Sequence, residues 1–213
     1  MDRVFSSVLD YVKYVAALPV CGGEYFCYSF IPSAFFPKHI VDDYFGNIEA
    51  LPHHKKIADL LWGCRRRTLR AYREGTLCVV LEQWALQRFI VDGLVHEARP
   101  QFQVGFPVRA HVLKELRTSP DGMNLMVTCE FLPYGYRLHA PDTVVLDVQR
   151  NVSTQSIQGL LITDTNVFNA FLAETIRLSR SAVTGQEVVR LLEDAIEGLE
   201  RGQPQQAGGT LRR

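Results

Sequence analysis

Apolar residues recur every three or four positions in several stretches of this chain, which is the spacing of an amphipathic helix. The clearest stretch covers residues 54–73, and its apolar face consists of Ile57, Leu60, Leu61, Cys64 and Thr68. We also expect helices at 3–17, 38–45, 82–94, 165–179 and 184–200. Asp164 or Thr165 is the expected N-cap of the fourth of these, and Thr184 with Glu187 is spaced as a capping box for the last.

Short apolar runs between these helices predict the strands, which we place at 25–31, 76–81, 143–149 and 157–163. A further strand is expected over 100–108, with Pro107 at an edge or a bulge. Residues 120–122, Pro-Asp-Gly, are a turn signal. They favour a hairpin between residues near 112–118 and 123–132.

These elements predict one α+β domain over residues 1–200, with a mixed central sheet, N-terminal helices and a C-terminal helical pair. A chain of 213 residues is long enough to bury a core of its own. Residues 201–213 are poor in apolar side chains, so we expect a disordered tail there. In the helix after the second strand, Trp84, Ala85, Phe89 and Val91 are expected in the core.

Composition narrows the class of protein only a little. Lys+Arg and Asp+Glu are both 23, so the net charge is zero and favours neither a nucleic acid nor a membrane as partner. No apolar run approaches the ~20 residues that span a bilayer, and the charged N-terminal segment does not resemble a secretory signal. Five cysteines at scattered spacing predict reduced thiols, which are typical of cytosolic or nuclear proteins.

Common catalytic and cofactor motifs do not occur in the sequence, neither the glycine-rich phosphate loops nor G-x-S-x-G nor H-E-x-x-H. Cys21 and Cys27 are six residues apart, and His53 and His54 stand as an isolated pair, unlike the tighter pairs of structural zinc sites. We therefore predict a non-enzymatic protein with no cofactor and no metal. Two alternatives stay open: distant Cys and His residues that meet as a zinc site, and a deep pocket of convergent titratable residues.

The helix at 54–73 carries an excess of positive charge, with seven bases against one acid, Asp59, hence +6. Arg66, Arg70 and Arg73 lie at i, i+4 and i+7 and form one stripe. One interpretation is a solvated face that pairs with acidic elements such as residues 186–200, where five acids and one base give −4. The other is a docking surface for an acidic protein or a nucleic acid. The aromatic-dense residues 25–45 likewise predict either core or an exposed patch for a partner.

Two blocks of the sequence resemble a known family. The first is Tyr14-Val-Ala-Ala-Leu-Pro19, followed by a glycine turn, an aromatic strand and Pro32. The second runs from Thr76-Leu-Cys-Val79 through the tryptophan helix to Phe89-Ile-Val-Asp-Gly93. Both are similar to blocks of the adenovirus early-region-4 34-kilodalton protein family, and a looser similarity in the same order covers most of residues 11–198.

The chain also departs from that family. Its mammalian members are crowded with Cys and His, whereas this chain has five Cys and six His. Their closing helix is basic, whereas residues 186–200 are acidic here. The chain therefore resembles a divergent, non-mammalian-type member, and neither metal ligands nor the export role of the closing helix is carried over.

The resemblance implies a viral early regulatory protein that acts by protein–protein binding in the host nucleus and cytoplasm. It implies a substrate adaptor that joins host elongin B, elongin C and a cullin into a ubiquitin ligase. It also implies that the adaptor acts with the viral early-region-1B large protein against host targets such as p53 and DNA-repair proteins.

In that family, elongin C is bound by a helix with Leu and Cys four residues apart, and Leu60 and Cys64 have this spacing. The flanking residues, Asp59 and Thr68, depart from the motif, and the alternative for Leu60 and Cys64 is a buried helix face. The residues predicted to bind partners are Leu60, Cys64, Arg66, Arg70 and Arg73. The alternative function is a nucleic-acid-associated regulator that uses the basic helix at 54–73.

Overall fold

A computed structural model of the chain describes residues 8–18, 24–28, 30–44, 53–95, 103–132, 134–147 and 159–201. Its strands are β1 (Glu24–Tyr28), β2 (Leu77–Glu82), β3 (Leu125–Thr128), β4 (Gly135–His139), β5 (Thr143–Asp147) and β6 (Gly159–Thr163). They form one sheet in the order β3-β2-β1-β4-β5-β6. β1, β2 and β3 are parallel, whereas β4, β5 and β6 pair in antiparallel fashion from β1 outward.

The helices are α1 (Val8–Ala17), α2 (Lys38–Tyr44), α3 (His54–Arg73), α4 (Gln83–Asp92), α5 (Phe106–Leu116), α6 (Thr165–Ser181) and α7 (Gln186–Glu200). α2 and α3 connect β1 to β2, and α4 and α5 connect β2 to β3. These helical crossovers make the first half of the sheet parallel, because parallel neighbours cannot be joined by a tight turn. The predicted single α+β domain with a mixed central sheet is confirmed. Residues 202–213, most of the predicted tail, lie outside the described part.

Alternation along the strands divides the core between the two faces of the sheet. On one face, Phe26, Val79 and Val127 pack with residues of α3, α4, α5 and α7. On the other face, Cys27 and Val80 pack with residues of α6. The predicted C-terminal helices α6 and α7 are thus present, but they cover opposite faces instead of packing on each other. Side chains alternate along β3, so that Leu125 and Val127 pack with α7, whereas Met126 packs with α6.

The strand predicted at 100–108 is wrong where the structure describes it, because a helix, α5, begins at Phe106. Pro107 stands in the first turn of that helix, where its missing N–H and fixed φ are tolerated. Val112, Leu113 and Leu116 are buried at helical spacing. The hairpin predicted around residues 120–122 is also wrong, because α5 occupies most of its predicted first strand. That segment is a short 3₁₀ turn that leads into β3, the parallel neighbour of β2.

The helix α4 was predicted with the wrong inner face. Ala85 and Phe89 are buried as expected, but Trp84 and Val91 are each 40% exposed. Leu86 and Ile90 take their places in the core, so the apolar stripe is rotated by about one residue. The helix ends at Asp92, and its C-cap Gly93 has φ +71°; a Cβ there would lie 2.2 Å from the carbonyl oxygen of Val104.

Of the two predicted N-terminal caps, the one of α6 is present and the one of α7 is not. Asp164 caps α6 as expected, since its side chain accepts hydrogen bonds from the amides of Asn166 and Val167. The capping box at the start of α7 is wrong, because the N-cap is Gly185 and no side chain caps the helix. The aromatic residues of the N-terminal third are mostly core: Phe26, Tyr28, Phe35 and Phe36 are buried.

A buried hydrogen-bond chain fixes α6 to the sheet. The hydroxyl of Thr175 donates to the carbonyl oxygen of Phe171 at 2.8 Å. It lies 2.9 Å from the hydroxyl of Tyr136 and 3.9 Å from the Sγ of Cys27. Because the threonine proton is used within the helix, the Tyr136 hydroxyl is the donor of the second bond.

Thr175→Val is expected to lower the free energy of unfolding by about 1–3 kcal/mol, because it leaves the buried Tyr136 hydroxyl without its acceptor. Urea unfolding measures the loss. Thr165→Val, on the exposed first turn of α6, is the control and should change stability by less than about 0.5 kcal/mol. Adding Tyr136→Phe to Thr175→Val should cost little more; a fully additive loss would contradict the proposed bond.

Alkaline pH is expected to destabilise the fold through Cys27. Burial raises the pKa of its thiol from 9.0 to about 12. The unfolded chain therefore ionises the thiol first, so stability that is present below about pH 9 is lost as the pH rises toward 12. The loss approaches about 1.4 kcal/mol per pH unit. Burial raises the pKa of Tyr72 and Tyr136 as well, which adds to the loss at still higher pH.

Urea unfolding at about pH 7, 9 and 10.5 measures this slope. Cys27→Ala should show a shallower decline than the wild type above about pH 9, whereas Cys129→Ala, at an exposed position, should not change it. Equal slopes for the wild type and Cys27→Ala would show that the Cys27 thiol does not contribute.

Candidate protein-binding surface

The helix α3 has the predicted bounds, and its inner face is fixed by a few fully buried side chains. Ile57 and Ala71 pack inward, and Tyr72 lies edge-on to the ring of Phe35 with centroids 5.0 Å apart. The hydroxyl of Tyr72 donates to the carbonyl oxygen of Leu116 on α5. These contacts determine which side of α3 faces solvent.

Arg65 belongs to this inner side, although the sequence places it among the bases of the positive helix. It is buried, and its Nε donates to the Oγ of Ser33 at 3.2 Å. Burial lowers its pKa to about 10, and the carboxylate of Asp42 opposes that shift. Arg65 therefore joins α3 to the segment before α2, and it should not be counted in the charge of the exposed face.

Leu60 and Cys64 lie on the flank of α3 that faces α1. Leu60 is half-buried against the cluster built by Tyr11 and Val12 of α1. Cys64 is also half-buried, and burial raises the pKa of its thiol. Arg67 donates to the carbonyl oxygen of Ala16 and lies 3.7 Å from the Sγ of Cys64, so it holds the end of α1 against this flank. The two predicted elongin-binding residues are thus neither in the central core nor freely exposed.

Arg66, Arg70 and Arg73 are all exposed, as one stripe along the outer side of α3. Arg73 is neutralised by Glu115 of α5, with Nη2 and Oε2 2.5 Å apart. Arg66 and Arg70 form no ion pair with any acid in the described part of the chain. The unneutralised charge of the stripe is therefore concentrated on these two arginines.

The acidic last helix does not provide the missing partners. Glu200 of α7 pairs with Lys114 at 2.7 Å, and Glu193 pairs with Arg117 at 3.1 Å. Both bases belong to α5 or follow directly after it. Two of the five acids of α7 are thus paired at α5, and the acid that pairs with α3 is Glu115 of α5 rather than a residue of α7.

The sequence pattern does not predict one buried pair of titratable residues. Glu24 on β1 and His139 on β4 are 1% and 3% exposed, with Oε1 and Nδ1 3.3 Å apart. Beside them, Arg137 donates to the hydroxyl of Tyr11 at 3.1 Å and lies over the ring of Phe26. The pair is separated by 115 positions, and only the pairing of β1 with β4 brings it together. Because both groups are sealed from solvent, they join two strands rather than line an open site.

The chain itself covers part of the sheet edge where α/β proteins usually bind small ligands. Such ligands bind at the carboxyl ends of parallel strands. Here the segment after β3 passes over the end of β2, and the amide of Leu132 donates to the Oε2 of Glu82 at 3.4 Å. Leu132 is buried in this position. Phe131, the residue before it, is exposed.

Among the described residues, no three His, Cys, Asp or Glu side chains are grouped as metal ligands. Cys21 and His96 lie outside those residues, so the alternative of a zinc site stays open there. No helix in the described ranges is both long enough and apolar enough to cross a bilayer.

Comparison of the chain with protein-family models, with curated proteins and with solved structures finds no match. The family resemblance therefore stays a hypothesis based on the two sequence blocks.

Proposed function

We propose that this chain is a viral early regulatory protein that works by binding other proteins, as a substrate adaptor for a host cullin–elongin ubiquitin ligase. Its substrates would be host defence or DNA-repair proteins such as p53, and it would act with the viral early-region-1B large protein in the host nucleus and cytoplasm. The observation that carries the proposal is the outer face of α3, where Arg66 and Arg70 are exposed and form no ion pair within the described chain.

Two properties of the rest of the described chain favour binding over catalysis. The buried titratable pair Glu24 and His139 is inaccessible to solvent. The carboxyl end of β2 is covered by the segment that contains Leu132. A protein of this kind would act through its surface.

Within this proposal, elongin C binds the flank of α3 that carries Leu60 and Cys64. Their spacing of four residues places both side chains on one side of the helix. Since α1 covers part of that flank, elongin C would have to share it with α1 or displace α1. The arginine stripe lies on the other side of Arg67 and is left for a second, acidic partner.

Leu60→Ala is expected to reduce the elongin C recovered with the tagged protein from host cells by about tenfold. The reason is that the groove of elongin C loses its apolar contact with α3. Leu61→Ala is the matched control, since Leu61 packs against the same cluster but lies outside the motif. Both variants should lose similar stability, so equal recovery at equal expression would contradict the role of Leu60. Cys64→Ala should behave like Leu60→Ala.

Arg66→Glu with Arg70→Glu is expected to abolish the loss of host target proteins that the wild type causes, while elongin C is still recovered. Arg180→Glu with Arg190→Glu makes the same change of charge at exposed sites on α6 and α7 and should leave target loss intact. Quantitative proteomics of host cells measures target abundance. The adaptor proposal fails if the wild type recovers neither elongin nor cullin and changes no host protein's abundance.

The alternative function, a nucleic-acid-associated regulator, uses the same helix. It predicts binding to a single-stranded or duplex oligonucleotide that weakens steeply with salt, in proportion to the number of phosphates contacted. Salt-independent binding, or none at about 50 mM salt, excludes it.

A further inference from the structure

A glycine stands in the middle of α3 without a structural reason in the described chain. Gly63 is ten positions before the end of the helix, and a Cβ built on it would meet no atom within 4 Å. Glycine is less stable than alanine in a helix interior, because it loses more backbone entropy on folding. Its φ is not in the left-handed region, so the backbone does not require it. A missing side chain at an open surface is useful where another backbone approaches closely.

The side chains around Gly63 would form the walls of such a contact. Advancing 100° per residue, Asp59, Gly63, Arg66 and Arg70 fall within about 60° of one another on the outer side of α3. Trp62 lies half-buried beside them, with the Nζ of Lys38 6.0 Å from its ring centre. The surface is therefore a shallow notch at Gly63, with an aromatic wall and with positive charge on the turns that follow.

The charges of this notch indicate the chemistry of its occupant. Arg66 and Arg70 are about 6 Å apart along the helix axis, at a rise of 1.5 Å per residue. Carboxylates at i and i+4 of a second helix have the same separation. Neither arginine has an ion-pair partner among the described residues.

We propose that the notch at Gly63 binds an acidic α-helix of a partner protein. The backbone of that helix passes over Gly63, its carboxylates one turn apart pair with Arg66 and Arg70, and its apolar side chains contact Trp62. This inference rests on the proposed function, since it names the kind of segment that the basic face of the adaptor recognises.

A nucleic acid fits the same surface less well. Arg73 is already neutralised by Glu115. Arg65 is buried, and Arg67 is turned toward the end of α1. Arg66 and Arg70, one turn apart, match two carboxylates one turn apart on a helix in both number and spacing.

The test uses two alanine-based helical peptides of identical composition. In the first, glutamates recur every four residues on one face; in the second, the same glutamates are spread around the helix. The protein carries Trp84→Phe, which leaves Trp62 as the sole tryptophan and its fluorescence as the signal. We expect the first peptide to bind at least tenfold more tightly than the second. Similar affinities would overturn the proposal.

Gly63→Ala separates binding from folding. It should raise the melting temperature by about 2–4 °C, as expected for a helix-stabilising change in a chain of this size. It should also weaken the first peptide at least tenfold, because the added methyl group holds the two backbones apart. Gly198→Ala, on α7, is the matched glycine control and should leave the affinity unchanged. Unchanged affinity in Gly63→Ala would refute the notch.

Two further arms distinguish the causes of failure. If an oligothymidine of about 20 nucleotides binds more tightly than the first peptide, and loses affinity steeply with salt, the surface is a nucleic-acid site and the proposal is overturned. If the peptides do not bind but elongin C is still recovered from host cells, the acidic-helix inference fails while the adaptor proposal stands. If the peptide binds as expected but neither elongin nor cullin is recovered, the reverse holds.

Discussion

The burial of one side of α3 is the constraint on which the rest of this molecule depends. The helix must connect β1 to β2 across one face of the sheet, and it can do so only with Ile57, Ala71 and Tyr72 turned inward. That rotation sends Leu60 and Cys64 to the flank beneath α1 and turns Arg66 and Arg70 outward. The side chains available to a partner are therefore decided by the packing of the opposite side of the same helix.

Much of this arrangement could be predicted from local patterns. The bounds of α3 are the expected ones, because its apolar positions keep helical spacing over five turns and its end is followed by Gly75, with φ +77°. Asp164 could be identified as a cap because its side chain acts only on the next few amides. The phase of α4 could not, since Trp84 and Leu86 are both apolar and the sequence does not show which of them faces the sheet.

The larger misses all depend on contacts between distant residues. Pro107 was assigned to an edge strand, but the first turn of a helix tolerates proline equally well, and the burial of Val112 and Leu116 decides the matter. β4 was missed because Arg137 and His139 make it look like a polar segment. Their partners, Tyr11 and Glu24, lie more than a hundred residues away. The alternation of β4 is thus hidden by polar groups that are buried with polar neighbours, which local periodicity cannot detect.

Some charged side chains of this molecule are paired within the fold, and others are left exposed on its surface. The chain is neutral overall, yet its charged helices are not equivalent. α7 is acidic, but Lys114 and Arg117 balance two of its carboxylates, so this charge is used within the fold. α3 is basic, and two of its arginines are used in the same way: Arg65 bonds Ser33, and Arg67 holds the end of α1. Arg66 and Arg70 make no comparable contact in the described chain.

A pair of exposed like charges one turn apart weakens an isolated helix, and the adjacent Gly63 weakens it further. Gly63 and the Arg66–Arg70 pair both lower the stability of the helix, and both lie on its outer side. These two local features, more than the total charge of α3, point to this turn as the binding surface.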